Sequence, residues 1–72
     1  MNIIGPQVNS LREKQKLTQE ELAAKCNLLG WNISRSTLAK IESQVRRVTD
    51  EEVAFLSNVL KVDINQLYKK SE

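Results

Sequence analysis

The stretch Leu17-Thr-Gln-Glu-Glu-Leu-Ala-Ala-Lys25, followed by Ile33-Ser-Arg-Ser-Thr-Leu-Ala-Lys-Ile-Glu42, decides the fold of this 72-residue chain. In the first segment, Thr18 and Glu21 have the spacing of a capping box, in which each side chain accepts a backbone N–H at the start of a helix. In the second segment, Ser34 is a typical helix N-cap. The two segments therefore predict two short helices, the first of which ends within residues 27–30.

The rest of the chain carries similar start signals. Pro6 suits a first helical turn, because no intrahelical acceptor awaits its missing N–H, and it predicts a helix from about Pro6 to Lys16. Thr49 and Glu52 have the spacing of a second capping box and predict a fourth helix, and Asp63 predicts a short fifth one. The fold class predicted from the sequence is therefore all-α, with five helices.

Apolar residues recur at helical spacing and define the inward faces of the predicted helices. These inward residues are Leu22, Ala23 and Cys26 in the second helix, Leu38 and Ile41 in the third, and Val53, Leu56, Val59 and Leu60 in the fourth. Near the C-terminal end, Leu67 and Tyr68 either complete this core or pair across a two-fold axis with a second copy. The other side of the third helix is polar.

Composition excludes several classes of protein. Hydrophobic residues make up 40% and charged residues 28%, the balance of a folded globular chain, and the length predicts a single domain over residues 1–72. The single cysteine excludes an internal disulfide, and the absence of histidine excludes a zinc-finger ligand set. No apolar run reaches the roughly 20 residues that span a bilayer, and no secretory signal is evident. We expect a cytoplasmic protein without metal, cofactor, small-molecule ligand or membrane contact.

Charge is unevenly distributed along the chain. Residues 1–47 carry eight Lys/Arg against four Asp/Glu, whereas residues 48–72 carry three against five. A polyanion would therefore dock on the first part of the chain.

The two deciding segments, together with Leu11-Arg-Glu-Lys14, closely resemble the Cro/lambda-repressor type helix-turn-helix family, also called the xenobiotic response element family. The resemblance covers about residues 8 to 68, and the combination of the two segments is more specific than either alone. It implies a compact five-helix DNA-binding domain of a bacterial or phage transcription switch. In this fold, helices two and three form the motif and helix three enters the major groove of double-stranded DNA.

The resemblance also implies roles for individual residues. The positions that meet DNA bases are Arg35, Ser36, Ala39 and Lys40. Contacts with the DNA backbone are predicted for Thr18, Gln19, Ser34, Thr37, Arg46 and Arg47. The planar fork of Arg35 suits guanine O6 and N7, and Gln19 matches a family glutamine that contacts the sugar-phosphate backbone. Arg12 and Glu42 match a structural ion pair between the first and third helices.

Each of these assignments has a simpler structural alternative. Arg35 and Lys40 would also suit a solvated helix face, and Arg46 with Arg47 would suit an ordinary soluble loop. Cys26 replaces an aliphatic core residue, without any neighbour that would activate a thiolate.

The connection between helices two and three is longer than the tight turn typical of the family, with several extra residues within 27–32. Trp31 lies in this insertion, beside Leu28, Leu29 and Ile33. Its indole either contacts a DNA sugar or phosphate or fills a local hydrophobic gap, and the second role is the commoner one for tryptophan in such surroundings.

Two functions are compatible with this sequence. The first is a transcriptional regulator, expected to be a repressor, that binds DNA as a homodimer with half-sites about 34 Å apart. The second is a protein-interaction module on the same fold, such as an antitoxin or accessory subunit. An enzyme is disfavoured, since the sequence lacks histidine, a phosphate-binding glycine loop and a paired-carboxylate motif.

Overall fold

The computed structural model describes residues 3–68, so residues 1, 2 and 69–72 of the predicted domain lie outside the described part. The described residues form five α-helices and no strand, which confirms the predicted all-α class. The helices are α1 (Gly5–Lys14), α2 (Gln19–Leu28), α3 (Arg35–Glu42), α4 (Asp50–Leu60) and α5 (Ile64–Tyr68). None of these five helices combines the length and the apolar character needed to cross a membrane.

The predicted helix starts are confirmed for α2, α3 and α4. Thr18 and Glu21 form the capping box of α2, with bonds of 3.0 Å to the threonine hydroxyl and 2.8 Å to the carboxylate. Thr49 forms the same box at the start of α4. At the start of α3, the Ser34 hydroxyl accepts the N–H of Thr37 at 3.2 Å. Three short polar residues thus satisfy donors that a helix start leaves unpaired.

The end of α1 depends on a backbone conformation that the sequence does not predict. Helix α1 was predicted to reach Lys16, but it ends at Lys14 because Lys16 adopts a left-handed conformation with φ of 58°. The Leu17 N–H then donates to the Arg12 carbonyl and the Lys16 N–H to that of Glu13, which is the Schellman pattern. A left-handed residue cannot continue a right-handed helix, so the chain turns away two residues early.

The core lies between the helices, with α3 packed against α1 and α2, and with α4 packed against α2 and α5. All nine predicted inward residues of α2, α3 and α4 are buried. Leu67 is also buried, so it completes the core of the monomer, whereas about half of the Tyr68 surface is exposed. Helix α3 therefore packs against the core through the face that carries Leu38 and Ile41.

Gly5 sets how closely α1 approaches the end of α3. A β-carbon at Gly5 would overlap the carbonyl oxygen of Ile41 and would lie 2.9 Å from that of Glu42. Only glycine lacks this atom, so the close approach of the two backbones requires it. The start of α1 therefore supports the C-terminal turn of α3.

Candidate functional site

The outward face of α3 is polar, narrow and open to solvent. Leu38, Ile41 and Glu42 face the interior. On the opposite side, helical spacing aligns Ser36, Ala39, Lys40 and Ser43 in one stripe. Arg35 is exposed in the first turn, and Lys40 is exposed one turn later. The predicted base-contacting residues therefore share an accessible surface with a cation at each end and small side chains between.

The predicted backbone contacts near this face occupy two helix starts. Thr18 and Ser34 are the exposed N-caps of α2 and α3. The hydroxyl of Ser34 also donates to that of Thr37 at 3.1 Å. Gln19 is half-buried, and its Nε2 donates to Glu42 Oε1 at 3.1 Å, which fixes the amide against the end of α3.

Glu42 joins three helices through its carboxylate. Arg12 Nε donates to Oε2 at 2.7 Å and Nη2 to Oε1 at 3.2 Å, while Asn9 Nδ2 donates to Oε1 at 2.8 Å. Arg12 Nη1 also donates to the Leu17 carbonyl at 2.6 Å. Only 9% of Arg12 and 8% of Glu42 remain exposed. The pair implied by the family resemblance is thus a buried network that includes Asn9 and Gln19.

Electrostatics keep this network charged. Burial acts to raise the pKa of Glu42, but the hydrogen bonds from Arg12, Asn9 and Gln19 outweigh it, and the pKa is lowered. The hydrogen bond to Glu42 raises the pKa of Arg12. Both groups are therefore ionised near neutral pH, and the network orients the C-terminal turn of α3.

A second ion pair fixes the loop between α3 and α4. Arg46 Nη1 and Nη2 lie 2.9 Å from Glu52 Oε1 and Oε2, and Nη1 also donates to the Arg47 carbonyl at 2.8 Å. The hydrogen bond from Arg46 lowers the pKa of Glu52. A contact between Arg46 and the DNA backbone stays a prediction, and it would require the guanidinium to leave Glu52. Arg47 is exposed.

The long connection between α2 and α3 is folded onto the domain. The rings of Trp31 and Phe55 stack with centroids 5.7 Å apart, and Trp31 packs against the core. Asn27 Nδ2 lies within 2.8–3.1 Å of three carbonyl oxygens, that of Ala23 in α2 and those of Trp31 and Ile33 in the connection. Trp31 therefore fills a hydrophobic gap. Cys26 lies beneath this region, and burial raises the pKa of its thiol to about 11, so it stays protonated.

Three residues that lie around the end of α3 were not singled out from the sequence as functional or structural candidates. Asn9 lies three residues before Arg12 on α1, a spacing that places both on one face and that could have indicated a shared acceptor. Gly5 carries no local signal, because its role depends on the backbone of α3. Val45 follows α3 and has 76% of its surface exposed.

Comparison with known proteins gives one match. A family model described as helix-turn-helix matches residues 8–67. No curated protein matches the chain, and neither does any solved structure. The matched range contains α2, α3 and the long turn between them.

Proposed function

Because the chain belongs to the helix-turn-helix family of DNA-binding regulators, of the Cro/lambda-repressor type, we propose that it recognises a specific sequence of double-stranded DNA. In this proposal α3 lies in the major groove, and the bound protein represses transcription. The outward face of α3 is the observation that carries this proposal. A helix about 10–12 Å across fits a groove about 12 Å wide, provided that no bulky side chain intervenes. Ser36 and Ala39 meet that requirement, and Arg35 and Lys40 supply the charge.

The proposed base contacts follow from side-chain chemistry. Arg35 donates two parallel hydrogen bonds to O6 and N7 of a guanine, and Lys40 reaches the same acceptors or a phosphate. Ser36 offers a hydroxyl that both donates and accepts, and Ala39 offers only a methyl group. In this arrangement Arg35 makes the largest single contribution to sequence preference.

The proposed backbone contacts position α3 without reading sequence. Thr18 and Gln19 lie at the start of α2, where backbone N–H groups and the helix dipole favour a phosphate. The Gln19 amide nitrogen has a second hydrogen beyond the one donated to Glu42, and this hydrogen serves the phosphate. Arg47 extends the positive surface beyond α3. The remaining proposed backbone contacts are Ser34, Thr37 and Arg46.

A homodimer on DNA is part of the proposal. Ile64 and Tyr68 lie four positions apart on α5, and each exposes about half of its surface. Paired across a two-fold axis, these side chains would join two copies of the domain, and half-sites about 34 Å apart are the spacing expected of such a dimer on DNA. Repression then requires only that the bound dimer exclude polymerase from a promoter.

Selection of bound fragments from random duplex DNA tests this function, followed by anisotropy titrations on the selected site. We expect a palindromic consensus, and log K should fall with log salt with a slope of about −0.9 per neutralised phosphate.

Arg35→Ala should cost about 1–3 kcal/mol of binding free energy and relax the preference at one base pair. Lys61→Ala is the matched control, since Lys61 is an exposed cation that follows α4 and is not part of the proposed DNA surface. Absence of DNA binding at low salt would leave the protein-interaction alternative.

A further inference from the structure

Val45 is an apolar side chain that the fold displays beside the candidate DNA surface. It follows α3 in the Schellman pattern that closes this helix: the Val45 N–H donates to the Lys40 carbonyl at 2.9 Å and the Gln44 N–H to that of Ile41 at 3.1 Å. In this motif the residue at the position of Val45 commonly packs against a hydrophobic residue of the last helical turn. Here the equivalent positions are Lys40, which is charged, and Ala39, which offers only a methyl group, and 76% of the valine surface is exposed.

The residues after Val45 determine the direction of its side chain. Exposure alternates along the loop, with Arg46 and Val48 partly buried and with Val45 and Arg47 exposed. Arg46 is held by two hydrogen bonds to Glu52, and Val48 packs against the core. The inward residues are thus anchored, so Val45 and Arg47 are presented outward.

The surroundings of Val45 indicate the chemistry of what covers it. Lys40 and Arg47 are exposed cations on either side of the valine along the chain. A hydrophobic protein partner would have to desolvate both of them, whereas a nucleic acid would neutralise both with phosphates. The major groove of DNA presents one apolar group, the C5 methyl of thymine, and a small aliphatic side chain is its natural contact.

We propose that Val45 is a specificity-determining residue that packs against the C5 methyl group of a thymine in each half-site. This inference rests on the proposed function, since it requires α3 to lie in the major groove. Val45 reads a base adjoining those read by α3, and the Arg46–Glu52 pair holds the loop that presents it.

The test replaces each thymine of the selected operator in turn by deoxyuridine, which lacks only the C5 methyl. Wild type, Val45→Ala and Leu28→Ala are titrated against every duplex. Leu28 is the matched control, since it is 86% exposed at the end of α2 and apolar. Neither exposed side chain supports the core, so circular dichroism melts should coincide with that of wild type.

At one thymine per half-site, uracil should weaken wild-type binding about fourfold, the equivalent of one buried methylene. Val45→Ala loses the contact in both half-sites, so it should bind the thymine duplex about 16-fold more weakly than wild type. It should show no further loss on that uracil duplex, whereas Leu28→Ala should behave as wild type. The role of Val45 would be overturned if uracil weakened the binding of Val45→Ala as much as that of wild type at every thymine, or if Val45→Ala bound the thymine duplex with wild-type affinity. Either result would leave the DNA-binding function intact. Failure of wild type to select any DNA would overturn both.

Discussion

Substitution of Glu42 by glutamine tests whether the buried network determines the stability of the domain. Glutamine keeps the size of the side chain but removes the negative charge, so the Arg12 guanidinium, only 9% exposed, loses its counterion. Breaking a buried pair from one side costs about 3–5 kcal/mol. At 0.05–0.15 kcal/mol per residue, a 72-residue domain has a free energy of unfolding of about 4–11 kcal/mol. Glu42→Gln should therefore remove a large share of the total.

Urea denaturation followed by circular dichroism measures this loss. We expect a lower midpoint with an unchanged slope, since the same surface is exposed on unfolding. Glu20→Gln is the matched control, because Glu20 is exposed in the first turn of α2 and its charge there is worth under about 1 kcal/mol. A loss below 1 kcal/mol for Glu42→Gln would show that the pair behaves like an exposed ion pair and would refute the reasoning.

The difference in free energy of unfolding between wild type and Glu42→Gln should depend on pH. The pKa of Glu42 is lowered in the folded chain, so its charge stabilises the fold above the unfolded pKa of about 4.3. This stabilisation is lost as the pH falls through the folded pKa. The difference between wild type and Glu42→Gln should be full at pH 7 and should shrink steadily below about pH 4. A difference that persists unchanged at low pH would exclude the charge as its cause.

Three further substitutions test other features of the structure. Gly5→Ala should cost about 1–3 kcal/mol, because the added methyl overlaps the Ile41 carbonyl; an unchanged urea midpoint would contradict the close approach of α1 to α3. Lys61→Gly should raise the melting temperature by about 4–8 °C, since glycine relieves about 1 kcal/mol of left-handed strain at φ of 57°, and Lys61→Ala should not; equal effects of the two variants would exclude a backbone origin. Arg47→Ala should reduce the salt slope of DNA binding by about 0.9, and Arg46→Ala should reduce it by less, because the Arg46 guanidinium must leave Glu52 to reach a phosphate; the reverse order would show that the bond to Glu52 does not compete with the phosphate.

The helix starts could be predicted from the sequence because their causes are local. A capping box needs only two residues three positions apart, and Thr18 with Glu21 and Thr49 with Glu52 both form one. The ends of α1 and α4 had no such signal. Lys16 and Lys61 adopt the left-handed conformation that glycine usually supplies, so the sequence gives no warning of the turn. Among the helix ends within residues 3–68, that of α2 alone closes on a glycine, Gly30, and this is the end that the sequence predicts.

The candidate site shows the same division between local and distant causes. The outward face of α3 follows from helical periodicity, and the structure exposes Arg35 and Lys40 as the pattern requires. The environment of Arg46 does not follow from its neighbours in sequence, since a pair of arginines in a loop is equally typical of phosphate contacts. Its bond to Glu52 depends on the direction in which the loop enters α4, which tertiary packing decides.

The position of α3 depends on contacts at both of its ends. At the start, the long turn is anchored by the stack of Trp31 on Phe55, and Ser34 caps the helix. At the end, Glu42 receives donors from α1 and from the start of α2. Gln19 belongs to both this network and the proposed phosphate contact. A phosphate bound by Gln19 would therefore be held at a fixed distance from α3, which is the condition for a sequence-independent contact to set the register in which bases are read.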